Sequence, residues 1–220
     1  MKRPLIINFK NYEEVLGDSA VKLAEAAHEV REELKVELVV APPQPSLALV
    51  AKNVDIPVIC QHVDNESVGP STGFFLPEIA GSFGAIGSLI NHSEHRIEMK
   101  SIASLVVRMR KIGMTSIVCA QEPHEVKEIS TFRPDFIAIE PPELIGSGRA
   151  VSKENPEIIT KSVQVAESRS RIICGAGIAD KSDVVKAMEL GSQGILVASG
   201  VVKSTLWRKK IAELAGGMSS

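Results

Sequence analysis

Three side chains that could carry out proton transfer each follow a short apolar run of the sequence. Lys10, His92 and Glu140 supply an ammonium, an imidazole and a carboxylate, groups that typically serve general acid–base catalysis. Glu140 comes directly after the apolar run 136–139, where a carboxylate costs free energy unless it is paired or used. Lys10 alone could be a surface lysine, and His92 alone a loop histidine. Their shared placement after apolar runs favours a common site.

Two segments of small residues follow other apolar runs and have the composition of an anion site. Residues 175–177 read Gly-Ala-Gly, and residues 198–200 read Ala-Ser-Gly. Small residues of this kind allow backbone N–H groups to approach a phosphate closely. A cation, an imidazole, a carboxylate and a phosphate site together predict proton transfer on a small phosphorylated carbonyl compound.

The elements that would position these residues are eight short runs that are apolar on both faces. Such runs are typical of strands in a buried parallel sheet. They are residues 5–8, 36–41, 58–60, 85–90, 116–119, 136–139, 171–174 and 194–197. Segments with helical spacing lie between several of them, around residues 21–31, 102–109, 158–166 and 184–190. Strands that alternate with helices predict βαβ units and a parallel sheet.

Eight such units can close into a (β/α)8 barrel, an α/β fold whose chemistry lies at the carboxyl ends of the strands. Barrels of this kind typically have about 250 residues. A chain of 220 residues must therefore have several short helices. Periodicity alone also permits an open, doubly wound sheet. The polar residues after the strands favour the barrel, and we predict a single compact barrel domain over residues 1–220.

The composition excludes several other classes of protein. The chain is 44% hydrophobic and 24% charged, which excludes a disordered protein. Its formal net charge of −2 provides no general attraction to nucleic acid or to an anionic membrane. No apolar run approaches the ~18 residues that a membrane span needs, and the first run is too short for a signal peptide. We expect a cytoplasmic protein with neither nucleic acid nor membrane as a partner.

The cysteines and histidines do not form a recognisable metal-binding pattern. The chain has three cysteines, an odd number, and no CxxC pair, so neither a zinc site nor a redox pair is expected. Each cysteine ends an apolar run, which predicts buried thiols in a reducing compartment. The histidine spacing matches no common ligand set. The cysteines are Cys60, Cys119 and Cys174.

Four motifs occur in order along essentially the whole chain. Asn8-Phe9-Lys10 has the form N-x-K, and residues 91–96 read Asn-His-Ser-Glu-His-Arg. Residues 119–122 read Cys-Ala-Gln-Glu, and residues 140–148 read Glu-Pro-Pro-Glu-Leu-Ile-Gly-Ser-Gly. In order, these motifs resemble the first-strand N-x-K, the fourth-strand GHSERR, the fifth-strand C-x-G-E and the sixth-strand glutamate with its hinged lid in the triosephosphate isomerase family. The resemblance is strongest to the short archaeal form of that family.

The resemblance implies a role for each motif residue. Glu140 would be the base, and His92 the electrophile that polarises the carbonyl. Asn8 and Lys10 would be two further catalytic residues. Ser93 and Glu94 would be supporting residues. The substrate would be bound by Asn8, Lys10, Ile145, Gly146, Gly177, Ala198 and Ser199. The segment 141–151 would form a lid that closes over the phosphate.

The resemblance also implies the family's TIM-barrel fold and its activity. That activity interconverts dihydroxyacetone phosphate and D-glyceraldehyde 3-phosphate through an enediolate, in glycolysis and gluconeogenesis. No metal or organic cofactor is expected, because proton transfer requires only side chains. One alternative is another phosphate-binding barrel, such as a sugar-phosphate epimerase or a tryptophan-pathway enzyme. Epimerases usually have paired aspartates and metal-binding histidines at strand ends, which this sequence lacks. A non-catalytic binding barrel is the other alternative.

The sequence departs from the family pattern at several positions. Asn91 stands in place of a glycine and His95 in place of an arginine, and we expect neither to touch the chemistry. Gly177 replaces a serine, and residues 198–199 replace a Gly-Gly pair. Backbone N–H donors survive both changes, so phosphate binding should persist. The hinge residues 141–143 read Pro-Pro-Glu in place of Pro-Val-Trp.

The segment 64–77 is long and partly apolar, and it contains Phe74 and Phe75. It resembles the third loop of the family, which inserts into a neighbouring subunit. Two exposed phenylalanines on a monomer would form an interaction patch. We therefore expect a homodimer, or a homotetramer formed through the shortened helices.

Overall fold

Short runs of β-branched and aliphatic residues form eight strands that close into a parallel barrel. The structure is a computed structural model that describes residues 1–146, 148–167 and 169–218. The strands are β1 (Leu5–Asn8), β2 (Leu38–Ala41), β3 (Val58–Cys60), β4 (Ala85–Ile90), β5 (Thr115–Ala120), β6 (Phe136–Ile139), β7 (Arg171–Cys174) and β8 (Ile195–Val197). Each strand pairs in parallel with the next, and β1 pairs with β8. The predicted barrel is confirmed, and the open sheet is wrong because the edges meet.

The helices between the strands are mostly short, as a barrel of this length requires. Within the described residues they are α1 (Ser19–Leu34), α2 (Leu47–Asn53), α3 (Pro77–Ser82), α4 (Met99–Lys111), α5 (Pro123–Ser130), α6 (Val151–Glu154), α7 (Pro156–Ala166), α8 (Lys181–Glu189), α9 (Ser199–Val202) and α10 (Trp207–Ala215). The four helices predicted from apolar spacing correspond to α1, α4, α7 and α8. Proline begins α3, α5 and α7, where its missing N–H leaves no helical hydrogen bond unmade.

The core has two layers because successive strand residues face opposite sides of the sheet. In β1, Leu5 and Ile7 pack in the layer between the strands and the helices, whereas Ile6 belongs to a separate cluster. That second cluster fills the barrel interior with buried side chains. Its members are Ile6, Val39, Ala41, Ile59, Leu89, Ile117, Cys119, Phe136, Ala138, Ile173 and Leu196. The filled interior makes the barrel a rigid support for the residues at its rim.

Two of the predicted strands begin later in the structure than in the sequence analysis. Leu38 pairs with Leu5 at the start of β1, and of the two residues before it Glu37 contributes to the pairing only its carbonyl, which accepts from the N–H of Leu5 over 2.8 Å. The backbone N–H of Leu38 instead bonds the carbonyl of Val36 in a turn.

Among the described residues, no helix is both long enough and apolar enough to span a bilayer.

Candidate active site

The carboxyl ends of β1, β4 and β6 bring the predicted catalytic residues into one cavity. Parallel strands that neighbour each other in a barrel end at the same face, so residues that follow them share a rim. A small cavity of about 60 Å³ is lined by Asn8, Lys10, His92 and Glu140. The structure therefore brings these four predicted residues together.

His92 and Glu140 face each other inside this cavity. Both are buried, with 6% and 5% of their surface exposed. The ring atom Nε2 of His92 lies 3.6 Å from Oε2 of Glu140. Among the described residues, that oxygen has no hydrogen-bond partner. Leaving a buried carboxylate oxygen without a hydrogen-bond partner costs free energy. Such an oxygen is expected where the acceptor takes its partner from a bound molecule.

A backbone hydrogen bond determines which nitrogen of the neutral His92 ring carries the proton. The N–H of Glu94 donates to Nδ1 of His92 over 3.2 Å. In a neutral imidazole, one nitrogen accepts and the other carries the proton. Because Nδ1 accepts here, the proton lies on Nε2, the atom that faces Glu140. A neutral His92 can therefore donate a hydrogen bond into the cavity.

Lys10 is held by three hydrogen bonds although its backbone is in the left-handed region, with φ of 49°. Its N–H donates to Oδ1 of Asn8 over 3.0 Å, and its ammonium donates to Glu94 over 2.8 Å. The side-chain amide of Gln61 donates to the carbonyl of Lys10 at 2.9 Å and to that of Ala41 at 3.0 Å. Gln61 was not among the predicted site residues. The only feature of the sequence that could have indicated its role was its position directly after a strand.

The predicted phosphate-binding residues line the same cavity as the acid–base pair. Gly177, Ala198 and Ser199 lie on its wall, together with Ile145 and Gly146 of the lid. The first turn of α9 follows Ala198, and the N–H groups of a first helical turn lack intrahelical acceptors. The cavity therefore combines an acid–base end with backbone donors for an anion.

The lid 141–151 contacts the loop after β7, and its C-terminal end is fixed there. The N–H of Val151 donates to the carbonyl of Ala176 over 3.4 Å. At Gly177, φ is +73°, and an added Cβ would overlap the carbonyl oxygen of Arg149. A serine at this position, as in the family pattern, would not fit the lid as it lies here. Ser147 of the predicted lid is outside the described residues.

Gly175 and Cys119 both lie close to the side chain of Glu140. A Cβ at Gly175 would lie 2.5 Å from Cγ of Glu140, so this glycine makes room for the carboxylate side chain. Burial, and then the Glu140 carboxylate, raise the pKa of the Cys119 thiol well above its usual value. Cys119 is therefore a neutral thiol beside the carboxylate, in the interior of the barrel. All three cysteines are buried and free, as predicted.

Ser93, Asn91 and His95 do not line the small cavity. The hydroxyl of Ser93 is buried, with no hydrogen-bond partner among the described residues. The ring of His95 stacks on that of His62, with centroids 3.8 Å apart. The described residues include no group of three or more His, Cys, Asp or Glu side chains arranged to hold a metal ion.

A larger groove of about 830 Å³ lies beside the cavity and shares Lys10 and His92 with it. The segment 64–77 borders this groove through Asp64, Gly73 and Phe74. Phe74 is 46% exposed, whereas Phe75 packs against the core. The expectation of two exposed phenylalanines is therefore wrong for Phe75. Asp64 holds Phe75 in place by accepting from its N–H over 2.7 Å and donating to its carbonyl over 2.9 Å.

A closed parallel barrel with a carboxylate, a neutral imidazole and an ammonium at the strand ends defines a (β/α)8-barrel enzyme of acid–base chemistry. The family model for triosephosphate isomerase matches residues 4–214. The chain belongs to the triosephosphate isomerase family, as its motifs predicted.

Several archaeal relatives named triosephosphate isomerase are similar over nearly their whole length. The protein of Cenarchaeum symbiosum is 50% identical over 217 residues, which cover 98% of this chain and 97% of the relative. That of Methanothermus fervidus is 44% identical, with 97% and 98% covered. That of Caldivirga maquilingensis is 43% identical, with 98% and 97% covered.

Proposed function

We propose that this chain interconverts dihydroxyacetone phosphate and D-glyceraldehyde 3-phosphate through an enediolate, in glycolysis and gluconeogenesis. The observation that carries the proposal is Oε2 of Glu140, which has no hydrogen-bond partner in the described part of the chain and lies 3.6 Å from Nε2 of His92. A carboxylate that accepts a proton from carbon, beside a donor for the adjacent oxygen, is what this isomerisation requires.

In the proposed reaction, Glu140 removes the proton from the carbon next to the carbonyl. The electrons of the broken C–H bond form the double bond of the enediolate, and the carbonyl oxygen becomes the oxyanion. Nε2–H of His92 and the ammonium of Lys10 stabilise that oxyanion, and Asn8 adds a further donor. His92 relays a proton between the two oxygens, and Glu140 returns its proton to the neighbouring carbon.

The small residues at the other end of the cavity are proposed to hold the phosphate. Backbone N–H groups of Gly177 and Ser199 would donate to the phosphate oxygens. Ala198 would line the cavity between this phosphate-binding end and the acid–base end. Ile145 and Gly146 of the lid would cover the intermediate. Excluding water at this stage prevents loss of phosphate from the enediolate.

The test of this function is the pair of variants Glu140→Asp and Glu140→Gln. Glu140→Asp withdraws the carboxylate by one methylene, and a misplacement of ~1 Å can lower the rate on the order of 10²-fold. Glu140→Gln removes the base and should lower kcat further, with KM changed only a few-fold. Turnover of D-glyceraldehyde 3-phosphate in a coupled assay measures both effects.

Glu143→Gln is the matched control, because Glu143 is an exposed carboxylate of the same segment that does not line the cavity. It should retain the native rate. If Glu140→Gln still exchanged the substrate C–H proton with deuterated solvent at the native rate, Glu140 would not be the base. Turnover of a sugar-phosphate epimer instead of the triose would favour the epimerase alternative, and binding without turnover would favour the binding barrel.

We further propose that the chain's partners are the small phosphorylated triose and other copies of itself. The groove beside Lys10 and the exposed Phe74 support assembly through the segment 64–77, as a homodimer or as a homotetramer with the shortened helices. Buried free thiols are typical of proteins in a reducing compartment, which supports a cytoplasmic location.

A further inference from the structure

Asn91 is a buried polar residue in an unusual backbone conformation. It is only 1% exposed, and its φ is 63°, in the left-handed region. Asparagine is one of the few non-glycine residues that adopt this conformation, because its short polar side chain can bond locally. Both polar atoms of its side chain are paired, so burial leaves no polar group unsatisfied.

The two hydrogen bonds of Asn91 connect different parts of the barrel rim. Nδ2 donates to the carbonyl of Cys119 in β5 over 3.0 Å. Oδ1 accepts from the N–H of Ile97, just before α4, over 3.1 Å. The side chain therefore closes the turn 91–97 and fastens it to β5. The next residue of β5, Ala120, accepts a hydrogen bond from the N–H of Glu140 over 2.8 Å.

The closed turn contains the groups that orient the His92 ring. The N–H of Glu94 donates to Nδ1 of His92, and the N–H of His95 donates to the His92 carbonyl over 2.8 Å. These bonds depend on the path of the backbone between residues 91 and 97. Asn91 fixes both ends of that path without lining the cavity.

We propose that Asn91 is a positioning residue for His92. Its amide holds the turn 91–97 on β5, so that the N–H of Glu94 stays directed at Nδ1 and the proton of the neutral ring stays on Nε2. A glycine would permit the same φ but would provide no bridge. This inference rests on the proposed function, because it takes His92 as the group that polarises the carbonyl.

The test variant is Asn91→Gly, which keeps the backbone conformation and removes both hydrogen bonds. We expect kcat to fall about tenfold or more, with KM within about threefold, because the donor is misdirected in the transition state. Affinity for 2-phosphoglycolate should fall about tenfold, while affinity for inorganic phosphate stays within about twofold. The ring ¹⁵N resonances of His92 should change from one neutral tautomer to a mixture.

Lys35→Gly is the matched control. Lys35 also has a left-handed backbone, with φ of 53°, but it ends α1 on the surface. The control adds the same conformational freedom to the unfolded chain, and it should leave the kinetic constants, both affinities and the His92 resonances unchanged. Asn91→Ser, which is too short to make both bonds, replaces Asn91→Gly if that variant does not fold.

Native kcat and a single His92 tautomer in Asn91→Gly would overturn the proposal, even if the variant unfolds at a lower temperature. That result would show that the hydrogen bonds of Asn91 stabilise the fold without positioning His92. Failure of the proposed function gives a different result, since the native protein itself would then not turn over D-glyceraldehyde 3-phosphate. The two failures are therefore distinguishable.

Discussion

His62 and His95 form a pair of facing rings at the edge of the larger groove, inclined by 17° to each other. Nε2 of His62 lies 3.3 Å from a carboxylate oxygen of Asp64, and the amide of Gln44 donates to the His62 carbonyl. Burial lowers the pKa of His62, the nearby His95 lowers it further, and Asp64 opposes both effects. His62 therefore takes up a proton less readily in the folded chain than in the unfolded one.

This pair makes stability depend on pH. As the pH falls below the ordinary histidine value of about 6.5, the unfolded chain gains the proton at His62 first, so the free energy of unfolding decreases. We expect the thermal midpoint to decrease between pH 7 and pH 5, and to decrease less in His62→Gln. The exposed His124 provides the control, since His124→Gln should keep the native pH dependence. Identical slopes in native protein and His62→Gln would contradict the assignment.

The residues of the candidate site differ in how far the sequence could predict them. Glu140 is the first residue after β6 and His92 the second after β4, so a correct strand assignment also places them at the rim. The same assignment places Asn91 and Gln61 there but does not reveal their roles, because each bonds a backbone carbonyl of another strand or loop. Those carbonyls come within reach only after the barrel has closed. Asn91 was predicted only to replace a glycine without touching the chemistry, and neither its left-handed backbone nor its bridge was predicted.

Among the elements, the lid is fitted to the loop after β7 at Gly177. The carbonyl of Arg149 occupies the space that a side chain at position 177 would need. The N–H of Val151 and the hydroxyl of Ser152 bond the carbonyls of Ala176 and Asp183, which fasten the lid's C-terminal end to the same region. The lid can take this position only when residue 177 lacks a Cβ.

Gly177→Ala should therefore displace the lid. The added Cβ would overlap the lid backbone, and a left-handed alanine is also strained. We expect kcat/KM to fall about tenfold or more, because misplaced closure weakens positioning. Inorganic phosphate and methylglyoxal should appear as by-products, because an enediolate that the lid does not hold expels phosphate from the carbon beside its double bond. A coupled assay and a phosphate assay measure the two effects.

Gly113→Ala separates strain from overlap. Gly113 has φ of +74°, nearly that of Gly177, but nothing lies within 4 Å of the added Cβ. It should lose some stability and keep the native rate and product. A Gly177→Ala variant that behaves like Gly113→Ala would show that the lid does not depend on this contact.

The shortest helices were harder to predict from sequence than the long ones. The helices α6 and α9 have four residues each, so they contain too few positions for an apolar period to appear. By contrast, α1 has 16 residues and α4 has 13, and both were predicted from their apolar faces. Strand ends were misplaced where pairing with a neighbour, not local sequence, determines the boundary.

For the whole molecule, the expected assembly places the segment 64–77 of one copy in the groove of another. Phe74→Asp should then reduce the mass measured by light scattering to that of a monomer, because it puts a charge on the apolar contact. It should also lower activity, because the groove includes Lys10 and Glu94. Phe83→Asp is the control, since Phe83 is equally exposed, at 47%, on another face. It should keep at least a dimer. A native monomer that is active at all concentrations would contradict the assembly.

The closure of the barrel also determines the order in which the chain can finish folding. Leu5 pairs with Ile195, so the first strand needs a partner that is synthesised long after it. Until β8 is available, one edge of β1 presents unpaired N–H and C=O groups, which can join the strand of another chain. Contacts between such distant residues also slow folding, because a long loop must close before they form. We therefore expect the nascent chain to be most prone to aggregation before β8 pairs with β1.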